Sequence, residues 1–268
     1  MRLSATYRFT SGGDSSDGAS GISVELTHVV HVTGSVSVFM TINASRSLPP
    51  LPRVGLQMCS PNSMRRIEWF GRGPNECYPD RKTAAMMGRY VTSVDDMHVP
   101  YIIPGENSGR SDVSWMALRC ATSASNLGKY DAATAATLPE KLHSWTLGPG
   151  VVFAINNSEK ALITVQRHSL NSLEKAVHTH ELDVLDNVKE SFVHVHIDHV
   201  HMGVGGDDSW TPSVHPEFTI QTGREMTFGI TIVALPREGD PFEVYQHLQR
   251  QGLLQDGYSD LSLKESWN

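Results

Sequence analysis

The amino-acid sequence predicts an all-β fold, a sandwich of antiparallel strands followed by a short helical tail. Three observations carry that prediction. Apolar residues recur mostly with period two, the runs are short and often β-branched or aromatic, and Gly, Pro, Asn or Ser bounds them. The opening stretch is different: SGGDSSDGASG is rich in Gly, Ser and Asp, and residues 1–20 are expected to form a long turn or mobile segment. From there Ile22, Val24 and Leu26 alternate with Ser23 and Glu25, and after a turn at Gly34 the pattern resumes at Val36, Val38, Met40 and Ile42. Further strand-like runs fall at 53–58, 66–70, 114–118, 151–155, 161–166, 192–199, 217–221 and 226–234. Two stretches carry helical signals instead. Residues 169–177 begin at Ser169, a candidate N-cap. In Asp240-Pro241-Phe242-Glu243 the Asp stands at the N-cap, Pro in the first turn and Glu at N3, and the run ends at Gln251 before Gly252. The expected organisation is a Gly/Ser-rich start at 1–20, a β-sandwich at 21–236 and a helical tail at 237–268.

The chain has 268 residues, enough for one large β domain with a real core. It carries 22 Lys+Arg against 29 Asp+Glu, a net charge of −7 without basic clusters, which argues against nucleic acid as the main partner. Hydrophobic residues make up 39% and charged residues 19%, so the chain is neither disordered nor a membrane protein by composition. The amino terminus lacks the apolar core of a secretory signal. Cys59, Cys77 and Cys120 are widely spaced and match neither a disulfide framework nor a metal knuckle. They suit a reducing compartment, and a cytoplasmic location is expected.

The densest chemical cluster is His194-Val-His196-Ile-Asp198-His199-Val-His201. On a regular strand, 194, 196 and 198 face one way while 199 and 201 face the other. A His-x-His pair with a carboxylate can bind a transition metal, yet no third ligand follows at a family-typical spacing. Half-buried, hydrogen-bonded strand histidines are the plainer reading, and no metal ligand is assigned.

The next segment, Met202 to Trp210, is more informative. Gly203, Gly205 and Gly206 permit positive φ and tight reversal. Asp207 and Asp208 can then accept from the loop's own N–H groups, with Ser209 beside them, so that the loop presents Trp210. An indole among polar groups is a usual platform for the apolar face of a sugar; the competing reading tucks Trp210 into the core. Glu76, Asp80, Glu106, Asp207 and Asp208 invite comparison with the carboxylate pair of a glycosidase. Each lies beside turn formers or an arginine such as Arg72, Arg81 or Arg110, which favours loop capping and ion pairing.

These residues have a family likeness. Trp69-Phe-Gly-Arg-Gly-Pro-Asn-Glu76-Cys-Tyr78-Pro-Asp80-Arg81 resembles a segment of the C-terminal domain of family-two β-galactosidases of the LacZ type. Met97-His98-Val-Pro-Tyr101-Ile-Ile-Pro104-Gly-Glu106-Asn107, with Arg110 after it, resembles a second segment; Arg167-His168-Ser169 with His178, His180, Glu181 and Leu182 resembles a third. Met202-Gly-Val-Gly-Gly-Asp-Asp-Ser-Trp210-Thr-Pro-Ser-Val214 resembles a fourth at nearly every position. The likeness runs from about Ser35 to Leu235. Gly105 stands where the family has a polar residue, and the helical tail extends past the family domain's usual end.

The resemblance implies a galactose-mutarotase-like supersandwich, the small-chain region of a β-galactosidase, here lacking its first strands and therefore expected to pair with a partner. It implies that Trp210 reaches a neighbouring barrel domain and stacks on a β-galactoside such as lactose, with Asp207, Asp208 and Ser209 beside it. Gly203, Gly205, Gly206, Glu76, Asp80, Arg81, Glu106 and Asn107 would structure the loops. The catalytic glutamates of the family lie on the barrel, as do most ligands of the Mg²⁺ and Na⁺ that the full enzyme uses. The chain is thus not expected to hydrolyse a galactoside alone, and a hetero- or homo-oligomer without nucleic acid or membrane is expected. Two other readings stay open: a stand-alone aldose 1-epimerase-like or carbohydrate-binding sandwich, and a metal-dependent one.

Overall fold

The computed structural model describes residues 1–10, 21–122, 146–156, 159–186, 192–208, 210–211 and 213–255. They form two antiparallel sheets and a few short helices. In chain order the strands are β1 (Arg2–Thr10), β2 (Gly21–Val30), β3 (Val36–Ala44), β4 (Arg53–Pro61), β5 (Met64–Gly73), β6 (Met86–Ser93), β7 (Arg110–Val113), β8 (Trp115–Thr122), β9 (Thr146–Ile155), β10 (Ala161–Gln166), β11 (Phe192–His201) and β12 (Glu225–Leu235). The larger sheet has eight strands in the order β1-β2-β3-β12-β9-β8-β5-β6, and the smaller has four, β4-β11-β10-β7.

Period-two patterning builds the core between them. Val38, Met40 and Ile42 of β3, Met226, Phe228 and Ile230 of β12, and Ile67 and Trp69 of β5 face Val54 of β4, Ile163 and Val165 of β10 and Val193, Val195 and Ile197 of β11. Alternate residues of the smaller sheet face the other way, which places His194, His196 and Asp198 together opposite the core, all three buried.

Helices α1 (Leu170–Lys175), α2 (Thr179–Asp186) and α3 (Pro241–Arg250) complete the described elements, with 3₁₀ turns at Asp95–Met97 and Pro216–Phe218. Both expected caps are present. The Ser169 hydroxyl accepts from Ser172 N at 3.1 Å, and the Asp240 carboxylate accepts from Phe242 N at 2.9 Å. Gly252 closes α3 with φ +69°. This helix is no free appendage: Leu248 is buried against Ala154 on the outer face of the larger sheet, and Arg89 pairs with Asp240 at 2.6 Å. Residues 256–268, the rest of the expected tail, lie outside the described residues, as do 11–20.

The structure departs from the sequence reading at several places. Arg2–Thr10 form a full-length strand inside the segment expected to be a turn, paired along its length with β2. The run at 217–221 is a 3₁₀ turn followed by a single bridge between Ile220 and Leu51, because Pro216 starts a helical turn rather than a strand. Strands β6 and β7 and helix α2 were not expected. Among the described residues no helix is long and apolar enough to cross a membrane.

Candidate functional site

The site grows from the end of β11. A β-bulge between Asp198 and Val200 inserts one residue into that strand. Val200 consequently packs on the core, and His201 stands opposite Arg53, on the same face as Asp198. The regular alternation expected from sequence put His199 and His201 together; the bulge separates them and leaves His199 beside the Phe228 ring, 5.4 Å between centroids.

Around that face the charged groups interlock. Arg53 reaches Asp198 at 2.5 Å, Glu106 at 3.1 Å and the Thr164 hydroxyl at 3.4 Å. Tyr78, fully buried, donates to Glu106 at 3.1 Å and accepts from Gly109 N at 3.2 Å. Burial raises the Asp198 carboxyl above its ordinary range although Arg53 opposes this, and burial with the nearby Glu106 charge raises the Tyr78 phenol. Burial, reinforced by the positive charge of Arg53, pushes His196 down to about 4. Asn107 is a brace within its loop: its side chain accepts from Val99 N at 3.2 Å and donates to Gly105 O at 2.9 Å. Glu76 pairs with Arg81 and accepts from Tyr101 at 2.5 Å and from Ser108 N at 2.7 Å. Ser108 itself sits at φ +66°, a conformation that hydrogen bonding has to hold.

Asp80 connects this network to the glycine-rich loop. Its carboxylate accepts from Gly205 N at 2.8 Å. Gly205 and Gly206 adopt φ of +65° and +93°, as a tight reversal requires. Gly203 has a different reason for being glycine: a Cβ there would lie 2.7 Å from Asp80 Cγ. The loop root is further fixed by Met202 N to Pro52 O and Gly203 N to Phe218 O, at 2.9 and 2.8 Å.

Beyond the root, the Asp208 carboxylate accepts from Thr211 N and Trp210 N, both at 2.7 Å, and from the Thr211 hydroxyl at 2.9 Å. These donors hold its carboxyl below the usual range. Asp207 pairs with His215, and that hydrogen bond raises the imidazole's pKa. Ser209 lies outside the described residues. Trp210, held by its own backbone, projects its side chain into solvent with 90% exposure, so it is not a core residue.

The five candidate carboxylates, Glu76, Asp80, Glu106, Asp207 and Asp208, are thus each committed to a cation, a hydroxyl or backbone N–H groups. The arrangement positions a rigid, exposed aromatic. Among the described residues no three His, Cys, Asp or Glu side chains converge to hold a metal ion. Arg53 and His215 escaped the sequence reading: the partner of Arg53 is Asp198, far along the chain, and His215 meets Asp207 only because the loop between them turns back.

Comparison with known proteins locates this geometry in a family. The family described as beta galactosidase small chain matches residues 4–232, so the likeness begins well before the Ser35 suggested by the motifs. The β-galactosidase of Psychromonas ingrahamii is 34% identical over 199 residues, covering 74% of this chain and 16% of that protein. The β-galactosidase of Photobacterium profundum is 31% identical over 239 residues, covering 88% of this chain and 19% of that protein. That of Vibrio cholerae is 39% identical over 173 residues, 65% of this chain and 13% of that protein. The chain therefore spans less than a fifth of the length of these curated relatives. A crystal structure of a candidate aldose 1-epimerase from Escherichia coli K12 aligns over 88% of this chain and 65% of that chain, with 11% identity and a TM-score of 0.41.

Proposed function

This chain belongs to the beta galactosidase small chain family, and from that premise we propose that it serves as the C-terminal sandwich of a cytoplasmic β-galactosidase whose catalytic glutamates stand on other polypeptide. Its part is to complete the sugar site. The observation that carries the reading is the 90% exposed Trp210, fixed from behind by Asp208. An indole that finds no place in its own core, on a loop this thoroughly hydrogen-bonded, supports a platform for the apolar face of a pyranose. Polar groups around it, Asp207 and Asp208 among them, suit the hydroxyls of a β-galactoside such as lactose. Hydrolysis would be of the retaining type, and this chain would contribute binding rather than proton transfer. Mg²⁺ or Na⁺ used by the assembled enzyme would be held chiefly by the partner.

The test uses the full chain alone and then assembled with a β-galactosidase polypeptide that lacks this region. The chain alone should leave a chromogenic galactoside intact and the assembly should cleave it. In the assembly, Trp210→Ala should raise KM for the sugar about tenfold, the scale of one lost aromatic stack with its buried area. Hydrolysis by the isolated chain, or an unchanged KM in the Trp210 variant, would overturn the reading. Catalysed mutarotation of galactose by the isolated chain would turn it toward an epimerase.

A further inference from the structure

The two sheets do not match in width. Among the described strands eight face four, and cover is poorest at the β1 end of the larger sheet. β7 sits against β5, near the β6 end of the larger sheet, so β4 forms the opposite rim of the smaller sheet, on the side of β2 and β1. The ladder registers show what the overhang consists of. Tyr7 stands opposite Val24, Val24 opposite Ile42, and Ile42 opposite Met226. Ala5, Leu26, Met40 and Phe228 form a second row, and Leu3, His28, Val38 and Ile230 a third. Residues opposite one another in a ladder share a face, so these rows are the core-facing side of the sheet, continued outward. Along each row cover is lost stepwise. Met226 and Ile42 are buried and Val24 is half-buried, whereas Tyr7 is 48%, Leu3 57% and Phe9 59% exposed. On the smaller sheet Leu56 and Met58 of β4, also part of the core, are only half-buried, and β4 pairs with β11 alone among the described strands.

We infer that this overhang is a docking face for β-strands supplied by the remainder of a β-galactosidase polypeptide, which pair with the edge of β4 that no described strand occupies and cover Leu3, Tyr7 and Phe9. Three features select that occupant. The exposed row has strand periodicity and continues a protein core, which an incoming strand with alternating apolar residues completes. The edge of β4 that no described strand pairs lies where such a strand would be laid, and a sheet edge is a ready template for it. The matched segment is 16% of the Psychromonas protein and 19% of the Photobacterium one, so each carries more than four-fifths of its length elsewhere. The inference rests on the family membership for the source of the strands, and is independent of any sugar contact by Trp210.

The experiment co-expresses the tagged full chain with the Psychromonas ingrahamii β-galactosidase truncated just before the segment this chain matches. A parallel co-expression removes a further ~40 residues, enough for several strands. The longer partner should co-purify and the shorter should not. Leu3→Asp and Phe9→Asp, at exposed positions where circular dichroism should show the fold intact, should each weaken the complex about 10–100-fold. Arg8→Glu, on the opposite face of β1, should leave it unchanged, and so should Trp210→Ala. Equal retention of both partners, or a complex indifferent to Leu3→Asp and Phe9→Asp, overturns the inference. So does self-association of the chain in sedimentation velocity that those two substitutions abolish, because the face would then belong to a second copy. Loss of the Trp210 effect on KM with the Leu3 and Phe9 effects intact would remove the sugar reading alone.

Discussion

Replacing Gly203 by alanine should loosen the root of the Trp210 loop, and the cost can be worked from the geometry. The backbone at Gly203 is not left-handed, so alanine brings no torsional strain of its own. Space decides the outcome. The added Cβ would fall 2.7 Å from Asp80 Cγ and 3.0 Å from Phe218 Cβ, which forces the Asp80 carboxylate aside. That carboxylate accepts from Gly205 N at 2.8 Å, and its other oxygen is buried without a partner, so it has no second comfortable position. A hydrogen bond to a charged acceptor is worth about 1.5–3 kcal/mol, which puts the expected loss near 2 kcal/mol. Urea unfolding followed by tryptophan fluorescence measures it. In an Asp80→Ala background the obstructing carboxylate is gone, and the same substitution should cost under about 1 kcal/mol, leaving a coupling of at least ~1 kcal/mol. Strictly additive costs would refute the reasoning, since Gly203 would then be needed for something other than the close approach of Asp80.

Three further outcomes follow from the charged network. His196, held at about 4 in the folded chain against an ordinary value near 6.5, leaves the unfolded chain binding more protons between those values. Stability should therefore fall as pH drops from about 6.5 to 4, by up to ~3 kcal/mol, and level off below; His196→Gln should remove that portion of the slope in urea titrations at stepped pH, and an unaltered slope would count against it. Asp207→Asn should return the His215 imidazole toward its ordinary value in an NMR titration, because the contribution of that contact is complete below the ordinary histidine value and is lost as pH rises through the raised one; identical titrations in both proteins would exclude the contact. Arg53→Met should destabilise by about 3–5 kcal/mol by stranding the buried Asp198, and Asp198→Asn in the same chain should recover part of that loss, whereas no recovery would place the role of Arg53 elsewhere.

How much of this was legible depends on the range of the signal. Strands with a clean inside and outside, such as β3 and β12, show their alternation, and both helix caps are visible because a cap is a local hydrogen bond between near neighbours. β1 also alternates, at Leu3, Ala5, Tyr7 and Phe9, but the Gly/Ser-rich stretch directly after it outweighed that pattern. β6, at the sheet edge, and the four-residue β7 carry too little periodicity to read. The glycine-rich loop announced its reversal, yet the reason for Gly203 is the position of Asp80, far away in the chain. The bulge that moves His201 beside Arg53 and Glu106 leaves no trace in the residue pattern, because an extra residue in a strand is defined only by its partner strand.

Trp210 and the β1 row are both exposed apolar surface, yet their surroundings call for different occupants. Trp210 stands with Asp207, Asp208, Thr211 and Ser213 around it, its backbone fixed, and one indole offers roughly the face of one sugar ring. Trp210 itself belongs to a loop and to none of the described strands. Leu3, Tyr7 and Phe9 continue a core at strand spacing on the side of β4 that no described strand pairs, and sugar hydroxyls placed on that row would be desolvated without partners. The two surfaces should accordingly separate in one experiment on the assembled enzyme. Trp210→Ala should change KM and leave the complex intact; Phe9→Asp should weaken the complex and, once partner is supplied in excess, leave KM where it was. If either substitution moved both quantities together, sugar binding and assembly would share a single surface, and the division drawn from these two environments would be wrong.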